Sequence, residues 1–409
     1  MNEIVKRLPP MLFGKELDEA LQILPPYNEN IRLENETTRL MALSDLYRVY
    51  IPTQESKEIY SKLYLSLVRG LEKKTTKEEI EQYYKNLDVI RGNTFSSIVS
   101  GIDTFSILGE AGVGKTSAVS RAIDLIGGNR VIEIEHPYRK IIPCLKVETP
   151  HDSSVKGMLF EILRQIDLHI GTQYYVQAIR YHATVDILIG SVSQALISHS
   201  ALLVLEEVEH ILNNRINAPK LVGALTQLIN SSGVTICLIG TPVCVDFFKQ
   251  EQHLARRSLG IQYDVMKYDD EFYRFCSILF RYQYVKNRTD IDDATVYWLF
   301  QHSNGNPSMV VSLIAMAQEL SILNGSEILD IGSLKEVYKN RMDMLQGFIK
   351  TKPLVKPARI KPNRLELSDN NEEIAGDITL ATIVLEARKN ESDVVSCLKK
   401  HIVVEEILV

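Results

Sequence analysis

Short, mostly apolar runs separated by longer segments of helical periodicity dominate the middle of the chain. The runs have the length of strands and cover residues 104–108, 141–147, 202–205, 234–240 and 261–266. Most of them lack the apolar–polar alternation of half-exposed strands, which is typical of strands buried between two layers of helices. The pattern therefore predicts an α/β core built on a five-stranded parallel sheet.

Helical periodicity fills the segments between the strands, because apolar residues recur there every three or four positions. Ahead of the first strand, the pattern predicts a helix over 55–71 and another that begins at the capping box Thr76-x-x-Glu79. A turn at 136–140 joins the second run to a further strand over 130–135. Helices are predicted within the core at 116–126, 155–168, 173–182, 184–197 and 219–230. After the last strand, a small helical lid is predicted from segments 271–284, 293–302, 307–324 and 333–345.

The patterns and the charge distribution divide the chain into four parts. The parts are an N-terminal arm with helices that pack on the core (1–100), the α/β core (101–268), the helical lid (269–346), and a basic linker with an acidic C-terminal tail (347–409). Residues 350–364 hold six Lys/Arg and no acid, which predicts an extended, solvated linker and leaves contact with nucleic acid open.

Composition excludes several classes of protein. The 409 residues are 45% hydrophobic and 24% charged, as in ordinary globular proteins. No apolar run reaches the roughly 18 residues that span a bilayer, and the N-terminus lacks the apolar stretch of a signal peptide. The five cysteines form no C-x-x-C pair and the nine histidines show no metal spacing. We therefore expect a cytoplasmic protein without a membrane partner, and the net charge of −6 gives no global attraction for nucleic acid.

The stretch from Gly109 to Thr116 fits the phosphate-loop pattern G-x-x-x-x-G-K-[ST] and lies between a predicted strand and a predicted helix. Backbone amides and the positive end of that helix favour a polyphosphate. Lys115 is predicted to bind the β- and γ-phosphates as a catalytic group, and the Thr116 hydroxyl to bind Mg²⁺. The predicted nucleotide contacts are Gly109, Glu110, Ala111, Gly112, Val113, Gly114, Lys115, Thr116 and Ser117. ATP and Mg²⁺ are the expected cofactors, and a chance glycine turn is the alternative.

Two acidic residues, Glu206 and Glu207, directly follow the apolar run 202–205. Carboxylates at the carboxyl end of a buried parallel strand are placed to serve a ligand at that edge of the sheet. Glu206 is expected to help hold Mg²⁺, and Glu207 to orient the attacking water as a catalytic residue. Glu206 is one methylene longer than the usual aspartate of this motif. The alternative is a strand end with two solvated acids.

Further candidates lie between the last two strands of the predicted core. Thr241 directly follows the run 234–240 and is a candidate sensor of the γ-phosphate, with a plain turn as the alternative. Arg256 and Arg257 end a predicted helix at a place from which an arginine can reach the nucleotide of a neighbouring copy and assist catalysis. A solvated pair favoured by the helix C-terminus is the alternative. An arginine acting in trans predicts a homo-oligomer.

The order of these motifs resembles the AAA+ P-loop NTPases, and the detail resembles one branch, the ATP-binding transposition regulators of the TniB/TnsC type. Four stretches between residues 50 and 345 carry the resemblance. They are 145–157 with its Thr149-Pro150-His151-Asp152-Ser153-Ser154 segment, 171–175, 203–210, and 238–242 followed later by Ala255-Arg256-Arg257. The sequence departs from the pattern at Glu206, and at Ser308, where many ring ATPases carry a nucleotide-sensing arginine.

The resemblance implies a regulatory ATPase that assembles as a ring or helical filament on double-stranded DNA. Its implied partners are a transposase and a target-site selector protein, and its hydrolysis serves to disassemble the oligomer. The family's DNA path follows the loops after the second core strand. The residues of this chain near that position are His151, Ser153, Lys156 and Arg180.

Two other classes of function stay open. A signalling or defence NTPase switch has the same core and a Gly-Asn-Pro start to a lid helix, as at Gly305-Asn306-Pro307. A replication initiator or helicase loader is expected to carry a C-terminal DNA-reading domain, which the sequence does not display. Stimulation of hydrolysis by plain duplex DNA would separate the leading interpretation from the switch.

Overall fold

The structure is a computed structural model, and it describes residues 4–341 except for 75, 91–103, 136–137, 151–153, 213–217 and 246–259. The chain divides into two compact units, Met1–Lys352 and Pro353–Val409, and all described residues lie in the first. The predicted basic linker and acidic tail therefore lie outside the described residues.

The described strands form one six-stranded sheet with the order β2-β3-β4-β5-β1-β6. The strands are β1 (Thr104–Leu108), β2 (Ile132–Glu135), β3 (Tyr138–Glu148), β4 (Ser200–Glu206), β5 (Thr235–Gly240) and β6 (Ile261–Gln262). Strands β3, β4, β5, β1 and β6 are parallel, and β2 adds an antiparallel edge through its hairpin with β3. The predicted five-stranded parallel core is confirmed, and β6 is shorter than its predicted run.

Helices cover both faces of this sheet. Before and within the core, the helices are α1 (Gly14–Leu21), α2 (Glu36–Ala42), α3 (Gln54–Lys73), α4 (Lys77–Ile90), α5 (Lys115–Ile126), α6 (Val155–Ile170), α7 (Tyr174–Arg180), α8 (Val185–His199), α9 (Glu209–Leu212) and α10 (Ala218–Ser232). Side chains of α1, α3 and α5 share one hydrophobic cluster with the sheet, and those of α6, α8 and α10 share another. The arrangement is a three-layer α/β/α sandwich.

The alternation of side chains along β4 explains why its sequence is apolar throughout. Leu202 and Val204 belong to the cluster with α3 and α5, whereas Leu203 and Leu205 belong to the cluster with α6, α8 and α10. Successive residues of a strand point to opposite faces, so a strand covered on both faces needs apolar residues at every position. These four side chains are almost fully buried.

The lid consists of α11 (Asp270–Leu279), α12 (Asp293–Ser303), α13 (Pro307–Leu323) and α14 (Ile331–Arg341). Helix α11 ends earlier than predicted, because Tyr282, Gln283, Tyr284 and Val285 are all buried. One face of a helix cannot bury four consecutive residues, whereas an extended chain inside the lid can. Within the described residues, no single helix has the length and apolarity to cross a membrane.

The N-terminal arm joins the core to the lid. Leu17 and Leu21 of α1 pack in the cluster of α3 and α5, whereas Leu43 and Leu46 pack in the lid cluster. The arm is built from short helical pieces, including three 3₁₀ turns, as its irregular sequence predicts.

A buried ion pair fixes the arm to the lid. Nη1 of Arg39, on α2, lies 2.6 Å from Oε2 of Glu327, and Nη2 lies 2.7 Å from Oε1. Nη1 also donates to the Tyr284 carbonyl at 3.1 Å. Arg39 is fully buried, so its guanidinium depends on these partners. The hydrogen bond from Arg39 holds the pKa of Glu327 below its usual value, although burial opposes this shift.

We expect Arg39→Met to lower the free energy of unfolding at pH 7 by about 3 kcal/mol, because it leaves a buried carboxylate without its main partner. The stabilisation is complete above the unfolded-state pKa near 4.5 and is lost as the pH falls through the lower folded-state pKa of Glu327. Urea unfolding curves of both proteins between pH 7 and pH 3 measure this difference.

The matched control is Arg48→Met, which removes an exposed arginine of the same arm from its pair with Asp45. It should change the free energy of unfolding by less than about 0.5 kcal/mol. An Arg39→Met protein as stable as this control at pH 7 would show that the buried pair does not hold the arm.

Candidate nucleotide-binding site

The glycine-rich loop connects β1 to α5 in the strand–loop–helix arrangement that the sequence predicts. The Gly109 amide donates to the Gly240 carbonyl at 3.2 Å, which ties the start of the loop to the end of β5. Gly114 precedes α5 with a φ of 104°, in the left-handed region that favours glycine. Gly112 has a φ of 81°. The loop thus turns sharply at positions that favour glycine.

Other parts of the chain approach this loop so closely that they require glycine. A Cβ at Gly109 would lie 2.1 Å from the carbonyl oxygen of Tyr263, whose amide in turn donates to Leu108 at 2.7 Å. A Cβ at Gly112 would lie 2.2 Å from Oγ of Ser308, at the start of α13. The segment after β6 and the start of the lid therefore both enclose the loop.

The Lys115 ammonium folds over the loop that precedes it. Nζ donates to the carbonyls of Gly109 at 2.7 Å and of Glu110 at 2.8 Å. Burial lowers the pKa of Lys115, and the carboxylates of Glu209 and Glu110 oppose this shift. Of the other predicted contacts, Val113 is buried, whereas Glu110, Ala111, Thr116 and Ser117 are exposed.

The two acids after β4 have different environments. Glu206 is 6% exposed, and its Oε2 lies 2.9 Å from Nζ of Lys146 on the neighbouring strand β3. Burial raises the pKa of Glu206, and the hydrogen bond from Lys146 opposes this shift. Glu207 is partly exposed, has a φ of 56°, and shares a 2.9 Å hydrogen bond through Oε2 with Nε2 of His210. Only Glu207 presents its carboxylate to solvent.

The residues present fit a magnesium ion held mainly by phosphates and water. Oε1 of Glu206 is buried and has no hydrogen-bond partner within the described part of the chain, so it is available to a metal-bound water. The Thr116 hydroxyl lies at the start of α5, beside Lys115. No group of three His, Cys, Asp or Glu among the described residues could hold a metal alone. Mg²⁺ suits this arrangement, because it keeps several waters and takes few protein ligands.

Thr241 lies at the end of β5, close to a third acid that the sequence predictions missed. The Thr241 amide donates to Oε2 of Glu209 at 3.3 Å. Among the carboxylates, Glu209 also has the largest effect on the pKa of Lys115. Its carboxylate thus accepts from the amide of the predicted sensor and opposes the lowering of the Lys115 pKa. The available signal was the acid two positions after Glu207.

The start of the lid helix α13 contacts the tip of the loop directly. Nδ2 of Asn306 donates to the Ala111 carbonyl at 2.8 Å, and the Ser308 amide donates to the Gly112 carbonyl at 3.3 Å. Oδ1 of Asn306 accepts from the Ser308 amide at 3.1 Å, which caps the helix. The segment that lacks the sensing arginine thus contacts the loop through an amide and a main-chain group.

The start of α3 also lies beside the loop. The Tyr263 hydroxyl lies 3.0 Å from Oγ of Ser56 and 3.3 Å from Oγ1 of Thr53, which caps α3. The same hydroxyl lies 3.7 Å from where a Cβ of Gly114 would be. Tyr263 therefore connects the start of α3 to the phosphate loop.

Several predicted residues lie away from this cluster or outside the described residues. Arg256, Arg257, His151 and Ser153 are outside the described residues, so their roles stay predictions. Lys156 and Arg180 are exposed, on α6 and α7 respectively. The Lys156 ammonium lies 5.6 Å from the centre of the Phe160 ring.

Comparison with known proteins identifies the class of the core. Residues 104–248 match the family model described as AAA domain. No curated protein matches the chain. The loop and strands β1 to β5 lie within the residues that match this AAA domain model, with N-terminal helices before them and a helical lid after them.

Three solved structures are similar to the chain at low identity. The Aeropyrum pernix ORC2 protein is 14% identical, with a TM-score of 0.40, over 64% of this chain and 67% of that one. Drosophila ORC bound to DNA is 12% identical, with a TM-score of 0.41, over 97% and 83%. The Aeropyrum pernix ORC1 protein in complex with DNA is 14% identical, with a TM-score of 0.40, over 68% of each. At identities and TM-scores this low, the similarity does not assign a function to this chain.

We expect Gly109→Ala to lower the free energy of unfolding by about 1–3 kcal/mol, because the new methyl group meets a backbone carbonyl that has little room to move. The control is Gly223→Ala in α10, where a Cβ would have no atom within 4 Å. That change should be neutral or stabilise by up to about 1 kcal/mol, the usual gain within a helix. Urea unfolding of the three proteins tests both values, and equal stability of the two variants would refute the close approach.

Proposed function

We propose that the protein is an ATPase whose nucleotide state controls the assembly of copies on double-stranded DNA. The single observation that carries the nucleotide part is the joint placement of Lys115 and Glu206. The loop of Lys115 follows β1, and Glu206 ends β4, with only β5 between these strands. In a parallel sheet the carboxyl ends of neighbouring strands meet at one edge, so both residues serve the same ligand.

Each residue of the site has a distinct task in this proposal. The loop amides and the N-terminus of α5 bind the β- and γ-phosphates, and Lys115 exchanges its carbonyl partners for phosphate oxygens. Thr116 and Glu206 hold Mg²⁺, which neutralises the charge of the phosphates when bound. Glu207 accepts a proton from the attacking water and orients it, with His210 fixing one of its oxygens. Thr241, through Glu209, links the end of β5 to Lys115.

The second part of the proposal concerns DNA binding by the protein and the protein's regulatory role. The resemblance to the TniB/TnsC-type regulators supports assembly on duplex DNA between a target-site selector and a transposase. Arg256 or Arg257 then completes the nucleotide site of a neighbouring copy. Lys156 and Arg180 contact DNA phosphates, so binding tolerates many sequences and weakens with salt.

The contact between the lid and the loop favours a nucleotide-gated switch as the second candidate. Asn306 and Ser308 touch the tip of the loop, so a nucleotide that moves the loop also moves the lid. A switch of this kind does not need DNA. A replication initiator, the third class, would bind one DNA sequence in preference to others.

Light scattering of the protein with ATP, Mg²⁺ and duplex DNA of unrelated sequences tests the proposal. We expect the wild type to form large, ATP-dependent assemblies on all duplexes. Glu207→Gln should bind nucleotide but lose at least about tenfold in hydrolysis rate, so its assemblies persist. Lys115→Ala should form none, because its nucleotide affinity is lost.

The control is Lys335→Ala, which removes an exposed lysine of the lid and should assemble as the wild type does. Assembly of Lys115→Ala with ATP to the wild-type extent would contradict the proposal. Hydrolysis and assembly indifferent to DNA would favour the switch. Assembly on one duplex sequence alone would favour the initiator.

A further inference from the structure

Glu206, the acid that ends β4, is paired with a lysine of the same chain. Nζ of Lys146 lies 2.9 Å from Oε2 of Glu206. The pairing of β3 with β4 sets Lys146 opposite Val204 and Glu148 opposite Glu206, so the lysine reaches diagonally along the sheet. Such a diagonal reach is within the length of a lysine side chain.

The same ammonium also contacts the helix that follows the phosphate loop. Nζ of Lys146 donates to Oγ of Ser120 at 2.9 Å. Ser120 is four residues after Thr116 on α5, so the two hydroxyl side chains lie on one face of that helix, a turn apart. Lys146 therefore stands between the helix that carries the predicted Mg²⁺ hydroxyl and the strand that carries the predicted Mg²⁺ acid.

The positive charge of Lys146 lowers the contribution that Glu206 makes to metal binding. A carboxylate beside a triphosphate repels it, and a divalent cation normally offsets that repulsion. The Lys146 ammonium neutralises Glu206 without any metal, and its charge is held in place by Ser120. A metal-free triphosphate therefore meets less repulsion, and a divalent cation gains less from Glu206.

We infer that Lys146 is a positioning residue that holds Glu206 as an ion pair and makes nucleotide binding by this protein only weakly dependent on Mg²⁺. The inference rests on the proposed nucleotide site and adds a property to it. One oxygen of Glu206, Oε1, stays available for a metal-bound water, so Mg²⁺ still binds, but with lower affinity than an unpaired carboxylate would give it.

Titration of a fluorescent ATP analogue against the full chain, in Mg²⁺ and in EDTA, tests the inference. The quantity measured is the ratio of the Kd in EDTA to the Kd in Mg²⁺. We expect Lys146→Met to raise this ratio by at least about tenfold, since the unpaired Glu206 repels metal-free nucleotide and attracts the metal. Lys146→Arg keeps the charge and should keep a ratio close to that of the wild type.

The matched control is Lys140→Met. Lys140 is on the same strand, its side chain is 34% exposed as is that of Lys146, and it pairs with Glu133 at 3.6 Å. This variant should leave the ratio unchanged. Lys146→Gln, which can still donate a hydrogen bond to Glu206, serves if Lys146→Met does not fold, and it should also raise the ratio. Circular dichroism establishes folding of each variant.

A second readout is independent of nucleotide affinity. Electron paramagnetic resonance of Mn²⁺ in the presence of saturating ADP measures the affinity of the complex for the metal. The ADP complex of Lys146→Met should bind Mn²⁺ several-fold more tightly than that of the wild type. This outcome would not follow if Lys146 only stabilised the fold.

Two results would overturn the inference while leaving the proposed function intact. The first is an unchanged ratio in both Lys146→Met and Lys146→Gln. The second is a Lys146→Arg protein that behaves as Lys146→Met does, since charge would then not be the property that matters. Failure of the wild type to bind the analogue in Mg²⁺ would instead refute the nucleotide site itself.

Discussion

Close contact between backbones at the phosphate loop is the constraint on which the rest of the structure depends. The Tyr263 carbonyl lies against Gly109, and the start of α13 lies against Gly112. The loop can therefore keep its form only while the last strand and the lid stay in place. The arm is fixed to the lid through Arg39 and Glu327, so it helps to hold the lid against the loop.

The charges of the site are balanced within the chain. Lys115 lies near Glu209 and Glu110, and Lys146 is paired with Glu206. Glu209, Glu110 and Glu206 thereby each have a lysine nearby, whereas Glu207 is paired with His210. When the proposed polyphosphate binds, its oxygens can replace the groups that these lysines now contact. In the proposed mechanism, Glu207 is therefore the acid that acts on water.

Local patterns predicted most of the fold, because buried strands, capped helices and the glycine loop each leave a signature within a few residues. The apolar run of β4 is an example: both faces are covered, so no alternation survives. The early end of α11 was missed, because it depends on lid contacts of Tyr282 and Tyr284. The pair of Lys146 with Glu206 and the position of Glu209 were missed for a related reason. Both depend on the order of the strands in the sheet and on their register. A single sequence shows neither.

A structure of the protein with ATPγS and Mg²⁺, determined by crystallography or cryo-electron microscopy, is the sharpest test of nucleotide binding at this loop. We expect the triphosphate along the amides of residues 109–116, with the Lys115 ammonium moved from the carbonyls of Gly109 and Glu110 onto phosphate oxygens. A nucleotide bound elsewhere, or a Lys115 still donating to those carbonyls with the nucleotide in place, would contradict it.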